Sequence, residues 1–339
     1  MSTTQTTPLP DHMHLTRVHG ITKNSDTEFV LEMTLLNFFR SHLLDRNGDR
    51  ITKLENLTQT KVTFPEGPES KNIAQITGPS EAAVTDAAAK LGEQVALIAD
   101  SLPCTHFVNV PLSVCPTYIE RTSSFADALF EKYKTAKGMD KSIMFPPFLH
   151  HFTLFQFRVF SDEQEVEARI AFDEVQEQAK AIVGEYGLVI HARGLKSMQG
   201  NHAKSNVIYI DVEDSDGTDT LQKLAVLYRN VFLAHGISLE RDRNPGGPIV
   251  LHATFINTKH RRDPTTGKMK RGVPLDATAI LSEHEETDFG EWVLPVVHCS
   301  RLKNCDAFLA PIVIPPGTPA RIMQVENYFK CISECVLPS

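Results

Sequence analysis

Long apolar runs are missing from this 339-residue chain. None approaches the roughly 20 residues that a helix needs to cross a bilayer, and Met1 to His14 has neither a basic cluster nor an apolar segment of the secretory kind. The expectation is a soluble intracellular protein. An excess of positive charge is missing as well: the formal net charge is -8, which speaks against a broad basic surface for nucleic acid, because counterion release needs many Lys and Arg together. Any such binding must be local. The six cysteines (Cys104, Cys115, Cys299, Cys305, Cys331 and Cys335) contain no Cys-x-x-Cys pair, so they read as buried thiols. Glycine-rich phosphate loops, nucleotide-binding fingerprints and His/Cys/Asp clusters at metal spacing are also wanting, so no cofactor and no metal are expected.

What is there is the composition of a globular chain, 41% hydrophobic and 22% charged, at a length that favours two cores over one. Residues 1–20, with Pro8, Pro10, His12 and His14, read as a loose polar tail. A strand is predicted over Phe29 to Thr34 and a helix over Leu35 to Leu44 with Phe38, Phe39 and Leu43 on its apolar side. A turn at Asp45-Arg46-Asn47-Gly48 precedes a second helix carrying Ile51, Leu54 and Leu57. Lys61 to Phe64 and Asn72 to Thr77 have strand character, and Ser80 is placed to cap a helix over Glu81 to about Ala99 bearing Val84, Leu91, Val95 and Leu97. The order is β-α-α-β-β-α.

Beyond Thr105 the alternations lengthen. Strands are expected at Phe107 to Leu112, Phe152 to Phe160, Leu188 to Ala192, Val207 to Val212, Ile249 to Thr258 and Val293 to Leu302. Ser161-Asp162-Glu163-Gln164 has capping-box form before a long helix that stops at Gly184, and a further helix over Asp219 to His235 stops at Gly236. Strand, helix, strand occurs twice, as in an approximate internal duplication. The expected class is α+β, with a flexible tail at 1–20, a small domain at 21–103, a bilobal domain at 104–305 and a C-terminal extension at 306–339.

The chemistry sits in two matched tripeptides, His151-Phe152-Thr153 and His252-Ala253-Thr254, each inside an apolar strand. Because strand side chains alternate, each histidine shares a face with the threonine two residues on. Two such strands side by side would put imidazoles on either side of a phosphodiester, one taking and one giving a proton, while the threonine hydroxyls donate to its oxygens. One such tripeptide is commonplace; the pair carries the reading. His150 faces the other way and reads as structural, whereas His298 and Ser300 share a face on a later strand and form a second-tier candidate. Lys259, Arg261 and Arg262, with His260, Lys268, Lys270 and Arg271, concentrate positive charge just after the second motif, either as a solvated loop or as a track for a nucleic-acid backbone.

Two resemblances follow. The order of the first elements, with Leu43-Leu44, Gly48, Ile51, Leu54 and Thr58 at their offsets, resembles the KH domain, which clamps nucleic acid through a Gly-x-x-Gly loop; here Asp45 stands at the first glycine position, with Arg46 and Arg50 nearby to offset its charge. A packing role and weak binding of RNA or single-stranded nucleic acid both stay open. The paired His-x-Thr motifs, with Leu251 to Thr258, Arg261, Arg262, Asp263 and the later Val297-His298-Cys299-Ser300, resemble the 2H phosphoesterases of LigT-like fold, and among them the A-kinase anchor protein 7-like nuclear-localisation-signal domain. The resemblance covers about residues 29–305. It implies a metal-independent phosphodiesterase on RNA or nucleotide 2',3'-cyclic or terminal phosphodiesters, with His151 and His252 catalytic and Thr153 and Thr254 on the phosphate. It further implies a nuclear subunit, with some cytoplasmic presence, of a transcription-coactivator and alkylation-damage-repair complex that works with a helicase subunit. The rival readings are a silent RNA- or nucleotide-binding scaffold and a nucleotide sensor.

Overall fold

The computed structural model describes residues 15–44, 49–65, 72–237, 239–240, 249–302 and 329–338. His12, His14, Arg46 and the rest of the Asp45–Gly48 turn lie outside them. The chain first lays down β1 (Thr16–Ser25), β2 (Glu28–Leu35), α1 (Asn37–Leu43), α2 (Asp49–Thr58), β3 (Lys61–Thr63), β4 (Ile73–Gly78) and α3 (Glu81–Ser101). These strands form an antiparallel sheet in the order β1-β2-β4-β3, against which the helices pack. The order expected after residue 28 is the one observed. The tail expected over 1–20 is corrected at its end, since Thr16 to Ser25 pairs with β2; alternation is blurred there because this edge strand is mostly exposed.

Helix α3 begins where expected: the Ser80 hydroxyl accepts from the Ala83 N–H at 3.1 Å. Its buried stripe is Val84, Ala87, Ala88, Leu91, Val95, Ile98 and Ala99, and Leu97 is instead 70% exposed. Leu57 on α2 is likewise 69% exposed, and Thr58 takes the inward position with Ile51 and Leu54. A three-residue spacing alone drifts off a face that turns every 3.6 residues.

The second unit contains β5 (His106–Pro111), α4 (Pro116–Tyr133), β6 (His151–Phe157), α5 (Asp162–Glu174), α6 (Gln176–Val183), β7 (Leu188–Ser197), β8 (Val207–Asp214), α7 (Thr220–Ala234), β9 (His252–Asn257), α8 (Thr278–His284), β10 (Asp288–Leu294), β11 (Val296–Leu302) and β12 (Phe329–Val336). All eight strands join one antiparallel sheet, ordered β10-β7-β8-β9-β6-β5-β11-β12. It divides into two four-stranded halves that meet at β6 and β9, the two strands carrying the His-x-Thr motifs. The bilobal α+β expectation is met in this way. Between the halves the ladder runs through the pair Phe152 and Ala253, so the junction is a narrow seam.

Three expected elements are redrawn. The strand over Val293 to Leu302 is two strands separated at Pro295, which lacks the N–H a ladder needs. The long helix after Ser161 breaks at Val175 into α5 and α6. Its cap is as read, with the Ser161 hydroxyl accepting from the Gln164 N–H at 3.2 Å, although the Gln164 side chain reaches back to the Phe160 N–H at 2.8 Å. The extension drawn at 306–339 contains β12, which pairs with β11 along Val296 to Leu302 and belongs to the sheet. Helix α4 was not anticipated; a half-exposed helix with an early proline and few regularly spaced large apolar residues gives a weak pattern.

The two units are in contact. Phe160, just past β6, is 4% exposed and belongs to the core of the first unit, where its ring stacks at 5.8 Å on Phe38 and meets Phe39 edge-on at 5.1 Å. Nearby, the Arg158 guanidinium donates to the carbonyls of Leu102 (2.9 Å), Asp100 (3.2 Å) and Leu239 (2.8 Å). Among the described residues no helix is long and apolar enough to cross a membrane.

Candidate active site

Each motif strand shows the predicted alternation. Phe152 and Ala253 are fully buried, whereas His151, Thr153, His252 and Thr254 are half-buried on the opposite face. The two motif strands are antiparallel neighbours that pair at Phe152 and Ala253, so the His-x-Thr faces of both lie on the same side of the seam. The two dyads thereby flank the seam pair, one on each strand. The fold thus brings together the two tripeptides that the sequence singled out.

The two histidines are anchored alike. His151 donates its Nδ1–H to the Leu149 carbonyl at 2.8 Å, and His252 donates its Nδ1–H to the Val250 carbonyl at 2.7 Å. In each ring this fixes the tautomer and leaves the Nε2 lone pair available as a base. Burial pushes both rings below the usual histidine value. His151 falls to about 4, its backbone hydrogen bond only partly opposing burial while His252 and Lys259 add to the depression. His252 also falls, but its own backbone hydrogen bond and the Asp211 carboxylate oppose the effect of burial. The charges acting on the two rings therefore differ in sign, Lys259 on His151 and Asp211 on His252.

Further residues complete the face. Asp211 and Tyr209 on β8 stand in register with His252 and Thr254, and the Tyr209 ring meets His252 edge-on at 5.4 Å. Lys196 is ion-paired with Asp211. On the other side Phe107 and Phe329 stand edge-on to the His151 ring at 5.1 and 4.8 Å. Asn109, 3% exposed, pairs in register with Thr153. Sequence reasoning missed all of these. Asn109 was detectable as a polar residue at an inward position of an apolar strand, and Tyr209 and Asp211 by alternation along β8; Phe329 had no local signal.

The remaining candidates separate. Lys259 and Arg262 are exposed, and Arg262 donates to the Gly267 carbonyl at 3.2 Å within its own loop. Arg261 is corrected: it is 6% exposed, and its guanidinium donates to the carbonyls of Gly138 and Val273, so it braces the loop from beneath. Arg50 lies in a cleft of about 470 Å³ with His42, Gln94, Leu97, Ile98 and Ser101, between the helices of the first unit. His150 is 1% exposed and bonded to the Tyr118 hydroxyl at 2.7 Å and the Phe145 carbonyl at 3.1 Å, a structural residue as expected. A buried trio, His106, Glu165 and Arg301, lies on the opposite, helix-covered face. Burial would raise the Glu165 carboxyl, but hydrogen bonds from His106 and Arg301 outweigh it and hold that group down at about 2. Among the described residues no group of three or more His, Cys, Asp or Glu comes together as a metal-binding cluster.

With two His-x-Thr strands paired at the junction of two half-sheets, and a three-helix, four-stranded unit ahead of them, the class is a KH domain joined to a 2H phosphoesterase-type domain. Residues 104–309 match the family described as the AKAP7 2'5' RNA ligase-like domain, and residues 31–93 match the KH domain. The first match spans more than half of the chain, so the chain belongs to the AKAP7 2'5' RNA ligase-like family. It is 26% identical over 284 residues, 79% of this chain and 77% of the relative, to activating signal cointegrator 1 complex subunit 1 of Mus musculus. Among solved structures it is similar to TT0787 of Thermus thermophilus, with 16% identity, a TM-score of 0.39 and coverage of 69% of this chain and 98% of that one. It is similar too to E. coli LigT complexed with 3'-AMP, with 11% identity, a TM-score of 0.37 and coverage of 70% and 100%.

Proposed function

We propose that the chain is a metal-independent phosphodiesterase acting on RNA or nucleotide 2',3'-cyclic or terminal phosphodiesters. The observation that carries this reading is the matched anchoring of His151 and His252, each Nδ1–H on the carbonyl two residues back and each Nε2 left as an acceptor, on neighbouring antiparallel strands. The unequal surroundings of the two rings support a division of roles. His151, held neutral beside Lys259, takes the proton from the attacking water or hydroxyl as its oxygen bonds to phosphorus. His252, whose charged form Asp211 favours, gives a proton to the leaving oxygen as its bond to phosphorus breaks. Thr153 and Thr254 donate to the non-bridging oxygens, where charge accumulates. Lys259 and Arg262 extend the phosphate-attracting rim, and Arg50 is a candidate contact on the KH unit, with Arg46 on its loop.

The test is turnover of short RNAs ending in 2',3'-cyclic, 3'- or 2'-phosphate, measured with a chelator present. His151→Ala or His252→Ala should lower kcat by at least about a hundredfold, the usual weight of a general acid or base. Full activity in either variant sinks the assignment. The kcat/KM profile should be a bell with its maximum on the acid side of pH 6.5, since both free-enzyme histidines titrate below their usual value. Asp211→Asn should move the alkaline limb further down, because removing the carboxylate makes His252 surrender its proton sooner; an unmoved limb speaks against His252 as the acid.

A second reading, a catalytically silent RNA- or nucleotide-binding scaffold, is favoured by one observation: burial leaves both histidines poor proton carriers at neutral pH. Binding of the cyclic-phosphate RNAs without turnover would establish it. For the cellular setting we propose a nuclear subunit of a complex like the one for which the mouse relative is named, the activating signal cointegrator complex, acting beside its helicase and other subunits. The relative's name and the family match support this placement. Co-purification of tagged chain with such subunits from nuclear extract, and its loss from cytoplasmic extract, is the check.

A further inference from the structure

A third histidine lies on the same face and row of the sheet as the proposed catalytic pair. On one side of the Phe152–Ala253 seam Asp211 on β8 pairs with His252; on the other, Thr153 pairs with Asn109 on β5, Asn109 with His298 on β11, and His298 with Glu334 on β12. Directly paired residues of an antiparallel ladder share a face, so His298 looks into the same groove as Thr153. Neighbouring strands lie about 4.8 Å apart, which puts His298 roughly 10 Å from Thr153, about one nucleoside away from a phosphate held there.

The intervening Asn109 sets the position of that strand. It is 3% exposed and its amide donates both to the His298 carbonyl at 3.3 Å and to the Ser300 hydroxyl at 3.2 Å, tying β11 to β5 at this level. His298 keeps a fifth of its side chain in solvent, and its Nε2 lies 3.7 Å from the Glu334 carboxylate. Burial keeps the ring on the neutral side, opposed by Glu334. An exposed carboxylate beside an imidazole repels phosphate and accepts hydrogen bonds. At the other end of the row the carboxylates are matched by cations, Asp211 by Lys196 and Glu286 by Arg193. The two ends of the groove therefore differ in chemistry.

Resting on the phosphodiesterase reading, we infer that His298 and Glu334 form a nucleoside subsite, accepting hydrogen bonds from the 5'-hydroxyl and the base N–H of the nucleoside next to the scissile phosphate. Strand β12, which falls outside the 104–309 family match, then contributes directly to substrate choice through Glu334. His298 is a specificity residue, not a proton carrier for the reaction.

The experiment compares uridine 2',3'-cyclic phosphate with bis(p-nitrophenyl) phosphate, which has a scissile diester and no sugar, using the full chain. His298→Ala and Glu334→Gln should each raise KM for the uridine substrate about tenfold with kcat held within about twofold, as loss of a hydrogen bond made equally in ground and transition states requires. Turnover of the aryl diester should stay at the wild-type level, and His298→Asn should recover part of the loss. Equal loss on both substrates, or on neither, overturns the subsite. If wild type turns over neither substrate, the phosphodiesterase reading fails on its own, and the subsite is judged by NMR: uridine should shift the His298 imidazole signals, and unshifted signals at saturating uridine overturn it.

Discussion

His150 and His151 are adjacent in sequence, and alternation sends one into the core and the other into the groove. His150 spends both ring nitrogens on Tyr118 and Phe145, and burial pushes it down to about 3. His150→Ala strands the Tyr118 hydroxyl and opens a cavity, and should cost about 2–4 kcal/mol in chemical denaturation. The pH dependence has a definite sign. An unfolded histidine takes up a proton below about pH 6.5, whereas folded His150 resists until about pH 3 and His151 until about pH 4. Stability should thus fall as pH drops from 6.5 toward 3, with Glu165 adding to the loss below its ordinary carboxylate range. His150→Gln should be less stable at pH 7.5 yet lose less on acidification to pH 4.5, and an identical slope would assign the acid sensitivity elsewhere. At this scale the His-x-Thr pair was legible because alternation is a local rule and the motif occurs twice. Asn109 and Asp211 carried only the local signal of a polar residue in an apolar strand, and their place beside the histidines, like that of Phe329, is set by register between distant strands.

A helix or strand is legible in proportion to how one-sided its burial is. Helices α3 and α7 bury a continuous stripe and were read nearly to their ends, while β1, largely exposed, and α4, half-exposed, left little pattern. Charge runs are harder, because sequence does not say which cation points inward. The segment after β9 illustrates this: Lys259 and Arg262 are exposed, whereas Arg261 between them is buried against the carbonyls of Gly138 and Val273. Gly138 holds a positive φ of 83°, and a Cβ there would lie 2.1 Å from the Pro274 carbonyl oxygen, so only glycine lets the two loops approach for this brace. Arg261→Ala should therefore lower thermal stability and leave the salt dependence of RNA binding unchanged. Lys259→Ala should do the reverse, keeping the melting temperature while reducing the slope of log affinity against log salt by about one. If Arg261→Ala alters the slope and Lys259→Ala does not, the assignment of inward and outward charge along this loop is wrong.

Two cores were expected from chain length and two are present, yet a side chain crosses from one to the other. Phe160 leaves the motif strand β6 and enters the first core against Phe38 and Phe39, while Arg158 two residues earlier holds the carbonyls at the end of α3. Sequence periodicity assigned Phe160 to the strand it follows, because nothing local distinguishes an apolar residue that serves its own core from one that serves a neighbour's. The strand bearing His151 is consequently tied to the KH unit through only a few residues. Removing the Phe160 ring takes a buried aromatic side chain from the first core and should cost that unit about 3–5 kcal/mol, with little direct cost to the second. Wild type should then melt in a single transition, the units stabilising one another through this contact, and Phe160→Ala should melt in two, the earlier reporting the KH unit. Phe160→Leu, which keeps most of the apolar volume, should restore the single transition. Calorimetry on the full chain decides it. One unsplit transition in Phe160→Ala at nearly the wild-type temperature would mean that the backbone bonds from Arg158 suffice to couple the units, and that the ring only fills space.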